Sequence, residues 1–168
     1  ISDRVYLAKG KTVTINKEPE VKGSGQMAIV IDDFGYSSEP IEAFAAIHRP
    51  MTFAILPYRP FSNEAAARGL SSGQQIILHL PMEPLDQTEQ SEKLTITVAM
   101  KEHEIQEMTR KAIQSIPGLI GVNNHQGSRA TADKRVMKTV LGELKHNNLF
   151  FLDSRTNGQS IAADTAQQ

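Results

Sequence analysis

Five short apolar runs alternate with longer amphipathic segments from Met27 onward. Continuous apolar runs are typical of strands that are buried on both faces of a parallel sheet. The segments between them place apolar residues at helical spacing. The predicted strands are 27–31, 51–56, 75–80, 119–122 and 149–152. The predicted helices are 37–47, 62–70, 101–116 and 131–146. The pattern therefore predicts an α/β fold, either a doubly wound sheet or a (β/α) barrel.

The predicted domain covers residues 27–168, and residues 1–26 are expected to be an N-terminal extension or linker, because they are polar and poorly patterned. Five strand–helix units do not close an eight-stranded barrel. The last residues are polar and compatible with a helix, so we expect the domain to continue beyond Gln168. The chain begins at Ile1 without Met, as expected of a processed form.

Composition narrows the possible partners. The net charge is −1, with both signs interspersed, so no basic stripe indicates nucleic acid. No apolar stretch has the length of a membrane span. The chain contains no Cys, which excludes thiolate metal sites, so any metal must be held by His and carboxylate groups. The sequence does not indicate an oligomeric state.

Polar and ionisable side chains follow several of the predicted strands. Because ligands of parallel α/β folds bind at the carboxyl ends of the strands, these side chains are candidates for a site. They are Asp32 and Asp33 after the first strand, His79 and Glu83 in and after the third, Asn123, Asn124, His125 and Arg129 after the fourth, and Asp153 and Arg155 after the fifth.

Each of these residues also has a structural interpretation. An Asp can cap the following helix, His79 can be a hydrogen-bonded core residue, and Glu83 can be a solvated loop residue. The shared position at one sheet edge favours function. His48, His103 and His146 lie in or beside helices and are expected to face solvent.

One carboxylate and two imidazoles would leave open positions on zinc or another divalent transition metal for water and substrate. A second adjacent carboxylate could then act as a general base. The Asp32–Asp33 pair supplies two carboxylates.

Five motifs resemble the divergent polysaccharide deacetylase family of bacteria, which is related to carbohydrate esterases that remove N-acetyl groups from chitin-like and peptidoglycan sugars. They are 27–35 (MAIVIDDFG), 52–57 (TFAILP), 79–84 (HLPMEP), 121–128 (GVNNHQGS) and 151–156 (FLDSRT). The resemblance implies a distorted (β/α) barrel, a carbohydrate substrate and a periplasmic or extracellular location in the cell envelope.

The resemblance also implies an Asp-His-His metal site, usually with zinc. Asp33 would be a metal ligand, Asp32 the catalytic base and His125 a second ligand. Other polysaccharide deacetylases carry two histidines four residues apart, whereas Arg129 stands four residues after His125. His79 is therefore our candidate for the third ligand. The late histidine that serves as general acid in the family would lie beyond Gln168.

The remaining candidates would contact substrate or support the ligands: Asn123, Asn124, Glu83, Arg129, Asp153 and Arg155. The predicted function is metal-dependent removal of N-acetyl groups from an amino-sugar polysaccharide. One alternative is a noncatalytic envelope protein that retains the barrel and binds glycan or protein, which Arg129 favours. Another is a different metal-dependent hydrolase such as a phosphoesterase, since Arg129 and Arg155 could bind phosphate.

Overall fold

A computed structural model describes residues 25–86, 92 and 94–167 of the chain. In these residues strands alternate with helices, as the hydrophobic pattern predicts. The elements are β1 (Val30–Phe34), α1 (Glu39–Ala45), β2 (Thr52–Ile55), α2 (Ser62–Ser71), β3 (Gln75–Met82), α3 (Glu102–Ser115), β4 (Leu119–Gln126), α4 (Lys134–His146), β5 (Phe150–Leu152) and α5 (Ala162–Ala166), with a short 3₁₀ turn at Ala130–Ala132 before α4.

The strands form one parallel sheet in the order β1-β2-β3-β4-β5. A doubly wound sheet reverses its strand order at a switch point, whereas a barrel keeps the order of the chain. The observed order is that of a barrel. The predicted α/β class is confirmed, and in the described part of the chain β1 and β5 stay unpaired with each other, so the five strands do not close a ring.

The core lies between the central strands and the helices that cover them. After the exposed Gln75, every residue of β3 is buried. Helix α4 buries Val136, Met137 and Val140 on one face, at the spacing from which the helix was predicted. Gly69 of α2 lies so close to β3 that an added Cβ would be 2.6 Å from Ile76 Cδ1. The packing therefore fixes the position of β3, the strand that carries His79.

The prediction for the first strand was wrong in its position. The apolar run was expected to be a buried strand over 27–31 with the aspartates after it, but β1 begins at Val30 and continues through Asp32 and Asp33. Met27 is 84% exposed. Because β1 has a neighbour on only one side within the described sheet, its apolar residues are less covered than those of β2 and β3.

Other expectations can be compared directly with the structure. His48, His103 and His146 are exposed, as predicted. Most of the predicted extension, residues 1–24, lies outside the described residues. Within the part of the chain that the structure covers, the helices are all too short or too polar to cross a bilayer.

Candidate metal centre

An irregularity in β1 places two consecutive aspartates in the same site. Side chains normally alternate between the two faces of a strand. The pairing of β1 with β2 shifts register between Ile31 and Phe34, and Asp33 has a left-handed backbone with φ of 65°. Asp tolerates this conformation better than most residues. As a result Asp32 and Asp33 both approach His79, with carboxylate oxygens 3.8 Å and 3.3 Å from its ring nitrogens. Neither caps α1, whose N-cap is Ser38.

The two histidines come from neighbouring strands that extend beyond their predicted ends. His79 lies within β3 and His125 within β4, and the register pairs His79 with Asn123 and Pro81 with His125. Nδ1 of His125 is 3.1 Å from Oδ1 of Asp33 and 3.1 Å from Nε2 of His79. Nε2 of His79 is 3.3 Å from the same Asp33 oxygen. Three potential ligand atoms therefore form a nearly equilateral triangle.

This triangle fits a divalent metal ion. Ligand atoms about 2.0–2.1 Å from a tetrahedral zinc lie about 3.3 Å from one another, close to the observed spacings. Each of Asp33, His79 and His125 offers one ligand atom, and these atoms all lie within 4.8 Å of one another. Asp33 is half exposed, so the open side of the triangle faces solvent. One carboxylate and two imidazoles suit zinc or a similar transition metal.

The electrostatics favour the protonation states that bind a metal. Burial, and then the neighbouring His79, lower the pKa of His125. The neighbouring His79 has the largest of the effects that lower the pKa of Asp33, and His125 adds to it. Metal ligands must be neutral imidazoles and ionised carboxylates. Both shifts therefore favour the binding form of each group at neutral pH.

The side-chain amide of Asn123 connects His79 to Asp32. Its Oδ1 is 2.8 Å from Nδ1 of His79, and its Nδ2 donates to Oδ1 of Asp32 at 2.9 Å. Asn123 is 2% exposed, so this bridge lies beneath the open face of the site. We call Asp32, Asp33, His79, Asn123 and His125 the inner cluster.

Glu83 and Arg129 lie outside the inner cluster and hold loops together. Oε2 of Glu83 accepts from Val98 N at 2.6 Å, and Oε1 accepts from Arg129 Nη1 at 2.9 Å. Backbone N–H groups of Arg129 and Ala130 donate to the Glu83 carbonyl. Ser128 Oγ accepts from Leu85 N at 2.8 Å. We call Glu83, Val98, Ser128 and Arg129 the clasp, because they join the segments that follow β3 and β4.

The clasp depends on Gly127, which sets the direction in which the side chain of Arg129 points. Gly127 has φ of 86°, and an added Cβ would be 2.9 Å from Met82 Cβ. The turn it permits directs Arg129 to Glu83 rather than to the metal ligands. Glu83 was predicted to contact substrate or support the ligands, and in the structure both of its carboxylate oxygens are bonded within the clasp.

Three further candidates, Asp153, Arg155 and Asn124, lie in or beside the loop that follows β5. Asp153 accepts from Arg155 N and from Ser160 Oγ, at 2.9 Å and 2.7 Å, so its carboxylate orders its own loop. Arg155 is exposed and has a left-handed backbone. Asn124 accepts from Ser154 N and donates to the Gln126 carbonyl, which ties β4 to this loop.

Ser154 reaches the inner cluster, and we did not single it out from the sequence. Its Oγ accepts from Nδ2 of Asn123 at 3.4 Å. Its position directly after Asp153, at the end of β5, was the available signal. The contact is long, so it is secondary to the bond between Asn123 and Asp32.

Comparisons with known proteins agree with this architecture. The family model of the divergent polysaccharide deacetylases matches residues 29–168. The uncharacterized protein YibQ of Escherichia coli K12 is 38% identical over 144 residues, covering 86% of this chain and 45% of that protein. An uncharacterized protein of Haemophilus influenzae Rd is 35% identical over 143 residues, covering 85% of this chain and 51% of that protein.

A solved structure supports the fold. The crystal structure of an uncharacterized protein from Agrobacterium tumefaciens C58 superposes with a TM-score of 0.75 at 19% identity, covering 83% of this chain and 58% of that chain. The chain spans about half the length of the two bacterial relatives described above. The match to the family model extends over most of the sequence, from β1 to the last residue. The chain therefore belongs to the divergent polysaccharide deacetylase family.

Proposed function

We propose that this chain is the metal-binding region of a hydrolase that removes N-acetyl groups from an amino-sugar polysaccharide, either peptidoglycan or a chitin-like glycan. The observation that carries the proposal is the convergence of Asp33, His79 and His125 beside Asp32. Such an arrangement combines a three-ligand site with an adjacent carboxylate, which is what metal-assisted hydrolysis of an amide requires. Membership of the divergent polysaccharide deacetylase family supports this choice of substrate class.

Asp33, His79 and His125 would hold the ion, through Oδ1, Nε2 and Nδ1. When bound, zinc or a similar ion supplies Lewis-acid polarisation of the acetyl carbonyl and makes a water more acidic. His79 is 3% exposed and packed in β3, so it would hold the ion from the buried side of the site. His125 and Asp33 form the rim and leave the solvent side open for a sugar.

Asp32 is the proposed general base. It stands within the same cluster, and its carboxylate is 44% exposed, so it can reach a water at the open face. Asp32 takes a proton as the water oxygen bonds to the acetyl carbon. As the carbon–nitrogen bond breaks, Asp32 returns its proton to the nitrogen, so the products are a neutral amine and acetic acid. The acid then loses its remaining proton to solvent as acetate.

The geometry weighs against both alternatives raised by the sequence. A noncatalytic glycan- or protein-binding protein was favoured by Arg129 in place of a ligand, but His79 supplies an imidazole at the site. A phosphoesterase was favoured by two arginines, but Arg129 is paired with Glu83. We propose a periplasmic or extracellular location, because peptidoglycan lies in the cell envelope and a chitin-like glycan would be met outside the cell.

The experiment is acetate release from N-acetylated chitin oligomers and peptidoglycan fragments. The protein is purified without a His-tag and tested with added zinc. We expect the parent to release acetate and Asp32→Asn to lose about 10²–10⁴-fold in rate, as loss of a general base typically does. Asp32→Asn should keep its zinc, because Asp32 is not among the three ligand atoms.

Asp153→Asn is the matched control, since it makes the same change in a carboxylate at the same sheet edge that is bonded within its own loop. It should keep most of the activity. If the zinc-loaded parent fails on both substrates, the proposal is wrong and the binding-protein alternative is favoured. If Asp153→Asn loses activity while Asp32→Asn does not, the base has been misassigned.

A further inference from the structure

We propose that Asn123 is a positioning residue that fixes the tautomer of His79 and the orientation of Asp32 through one side-chain amide. This inference rests on the proposed function for its catalytic consequence. Its structural part concerns the metal-free protein and can be tested without any substrate. It replaces the alternative that Asn123 contacts the substrate.

Asp32 determines which way the amide points. An ionised carboxylate can only accept hydrogen bonds, so the group that faces it must be the NH₂ of Asn123. The distance from Nδ2 of Asn123 to Oδ1 of Asp32 is 2.9 Å. The reverse orientation would place the amide oxygen against a negative charge. The carbonyl oxygen of Asn123 must therefore face His79.

The amide in turn determines the tautomer of His79. The carbonyl oxygen of Asn123 accepts and cannot donate, so Nδ1 of His79, at 2.8 Å, must carry the hydrogen. In the neutral imidazole the lone pair then lies on Nε2. Nε2 faces Asp33 and His125, and Nδ1 of His125, 3.1 Å from both Nε2 and Oδ1 of Asp33, is the donor between these two acceptors in the metal-free protein. One side chain thus keeps the metal-facing nitrogen of His79 free of a proton.

Burial makes this bridge hard to replace. Asn123 and His79 are 2% and 3% exposed and lie opposite each other in the register of β3 and β4. Both polar groups of the Asn123 amide are bonded within the protein, and neither is presented to the open face. Groups that hold a metal-binding histidine in this way are worth about 10–100-fold in metal affinity.

The first test reads the tautomer of His79 in the metal-free protein. Long-range ¹H–¹⁵N correlation spectra of the imidazole rings are recorded at about pH 8.5, some two units above the reference histidine pKa of about 6.5. We expect the parent to show hydrogen on Nδ1. In Asn123→Leu the carbonyl acceptor is gone, and Nε2 should gain the hydrogen and donate it to Asp33. A parent with hydrogen on Nε2 would overturn the proposal.

Two substitutions separate the hydrogen bond of Asn123 with His79 from its hydrogen bond with Asp32. Asn123→Leu should weaken zinc binding by about 10–100-fold, measured by competition with a chromophoric chelator. Asn123→Asp keeps an acceptor for His79 but loses the donor to Asp32. It should retain the Nδ1 hydrogen and zinc affinity within a few-fold. Its kcat should fall by up to about 10²-fold with little change in KM, because the base is misplaced.

Asn124→Asp is the matched control, because Asn124 is the next residue, is 1% exposed and bonds only to Gln126 and Ser154 among the contacts described above. It should leave the tautomer of His79 unchanged. If Asn124→Asp changes the tautomer as much as Asn123→Leu, the effect is general loosening and the inference fails. If the tautomers behave as expected but the parent hydrolyses no acetylated glycan, the proposed function fails and the positioning of His79 stands.

Discussion

The inner cluster and the clasp lie at the same edge of the sheet, yet their polar groups are used in different ways. In the clasp, Glu83 accepts from a backbone N–H and from Arg129, so its carboxylate is committed to holding two segments together. In the inner cluster, Asp33, His79 and His125 converge mainly on one another. Carboxylate and imidazole acceptors that crowd together without backbone donors are stabilised by a proton or a cation.

The difference teaches that a strand-end position is not enough to identify a functional residue. Glu83, Arg129 and Asp153 all occupy such positions, yet Glu83 and Arg129 join two loops and Asp153 bonds within its own loop. Asp33 occupies a similar position in a strained backbone conformation that turns it toward two histidines. Strain of this kind costs about 1–3 kcal/mol and persists where the surrounding structure enforces it.

The largest effect should come from removing a ligand of the inner cluster. Asp33→Asn replaces a charged ligand with a neutral one. Loss of a residue that hydrogen-bonds a metal ligand typically costs about 10–100-fold in metal affinity. Because Asp33 is itself a proposed ligand, its replacement should lower zinc affinity by more than that. Turnover should fall with it, and excess zinc should restore part of the rate. Titration with a competing chelator measures the affinity, and Glu83→Gln in the clasp is the control, with affinity unchanged. Equal losses in both variants would erase the distinction between the two regions.

Acid should also weaken the inner cluster, and the direction follows from His125. Burial lowers the pKa of His125 in the folded protein below its ordinary value of 6.5. A group with a lowered folded pKa stabilises the fold fully above its unfolded pKa, and that contribution is lost as the pH falls. We expect metal-free stability to decline below about pH 6.5, with a slope of at most about 1.4 kcal/mol per pH unit for one proton.

Urea unfolding of the metal-free protein between pH 7.5 and 5 checks this slope. His125→Gln should flatten it. Zinc affinity should decline over the same range with release of protons on binding, because both histidines must be deprotonated. Zinc affinity that is equal at pH 5.5 and 7.5 would contradict a site with two histidines.

The clasp should affect stability rather than metal binding. Glu83→Ala leaves the N–H of the half-buried Val98 without its acceptor and breaks the pair with Arg129. We expect a loss of about 1–3 kcal/mol in the free energy of unfolding. Chemical denaturation measures it, with zinc affinity expected to stay within a few-fold of the parent. A large loss of zinc affinity in the folded variant would show that the clasp also positions ligands.

The smallest effect should come from Arg129→His, which places a histidine four residues after His125. Because residue 129 is directed to Glu83 by the turn at Gly127, the new imidazole should not join the metal ligands. Zinc affinity should remain unchanged. Since the lost ion pair is partly exposed, stability should fall by less than about 1 kcal/mol. A gain in zinc affinity would show that this loop can reach the site.

Much of this arrangement could be predicted from local sequence. The apolar runs fixed the alternation of strands and helices, and parallel strands bring their carboxyl ends together, so Asp33, His79 and His125 could be placed at one edge. The register irregularity in β1 could not be predicted, because it depends on pairing with β2. The engagement of Glu83 with Val98 also depends on contacts between residues far apart in the chain.

The same limit applies to Asn123. Its sequence position suggested a role beside the metal or the substrate, but only the contact with Asp32, 91 residues away, reveals which end of the amide faces His79. Distant partners of this kind carry no local signal. Predictions from strand ends therefore identify candidates, and the hydrogen bonds of the fold separate ligands from loop-holding residues.

The most direct test of the three-ligand site is a crystal structure of the zinc-loaded protein, purified without a His-tag, with diffraction measured on both sides of the zinc absorption edge. We expect one anomalous peak bound by Asp33 Oδ1, His79 Nε2 and His125 Nδ1 at about 2.0–2.2 Å, with Asp32 beside it and not bound. A peak held by Asp32 or Glu83, or a His79 ring turned away from Asp33 toward the core, would contradict the assignment.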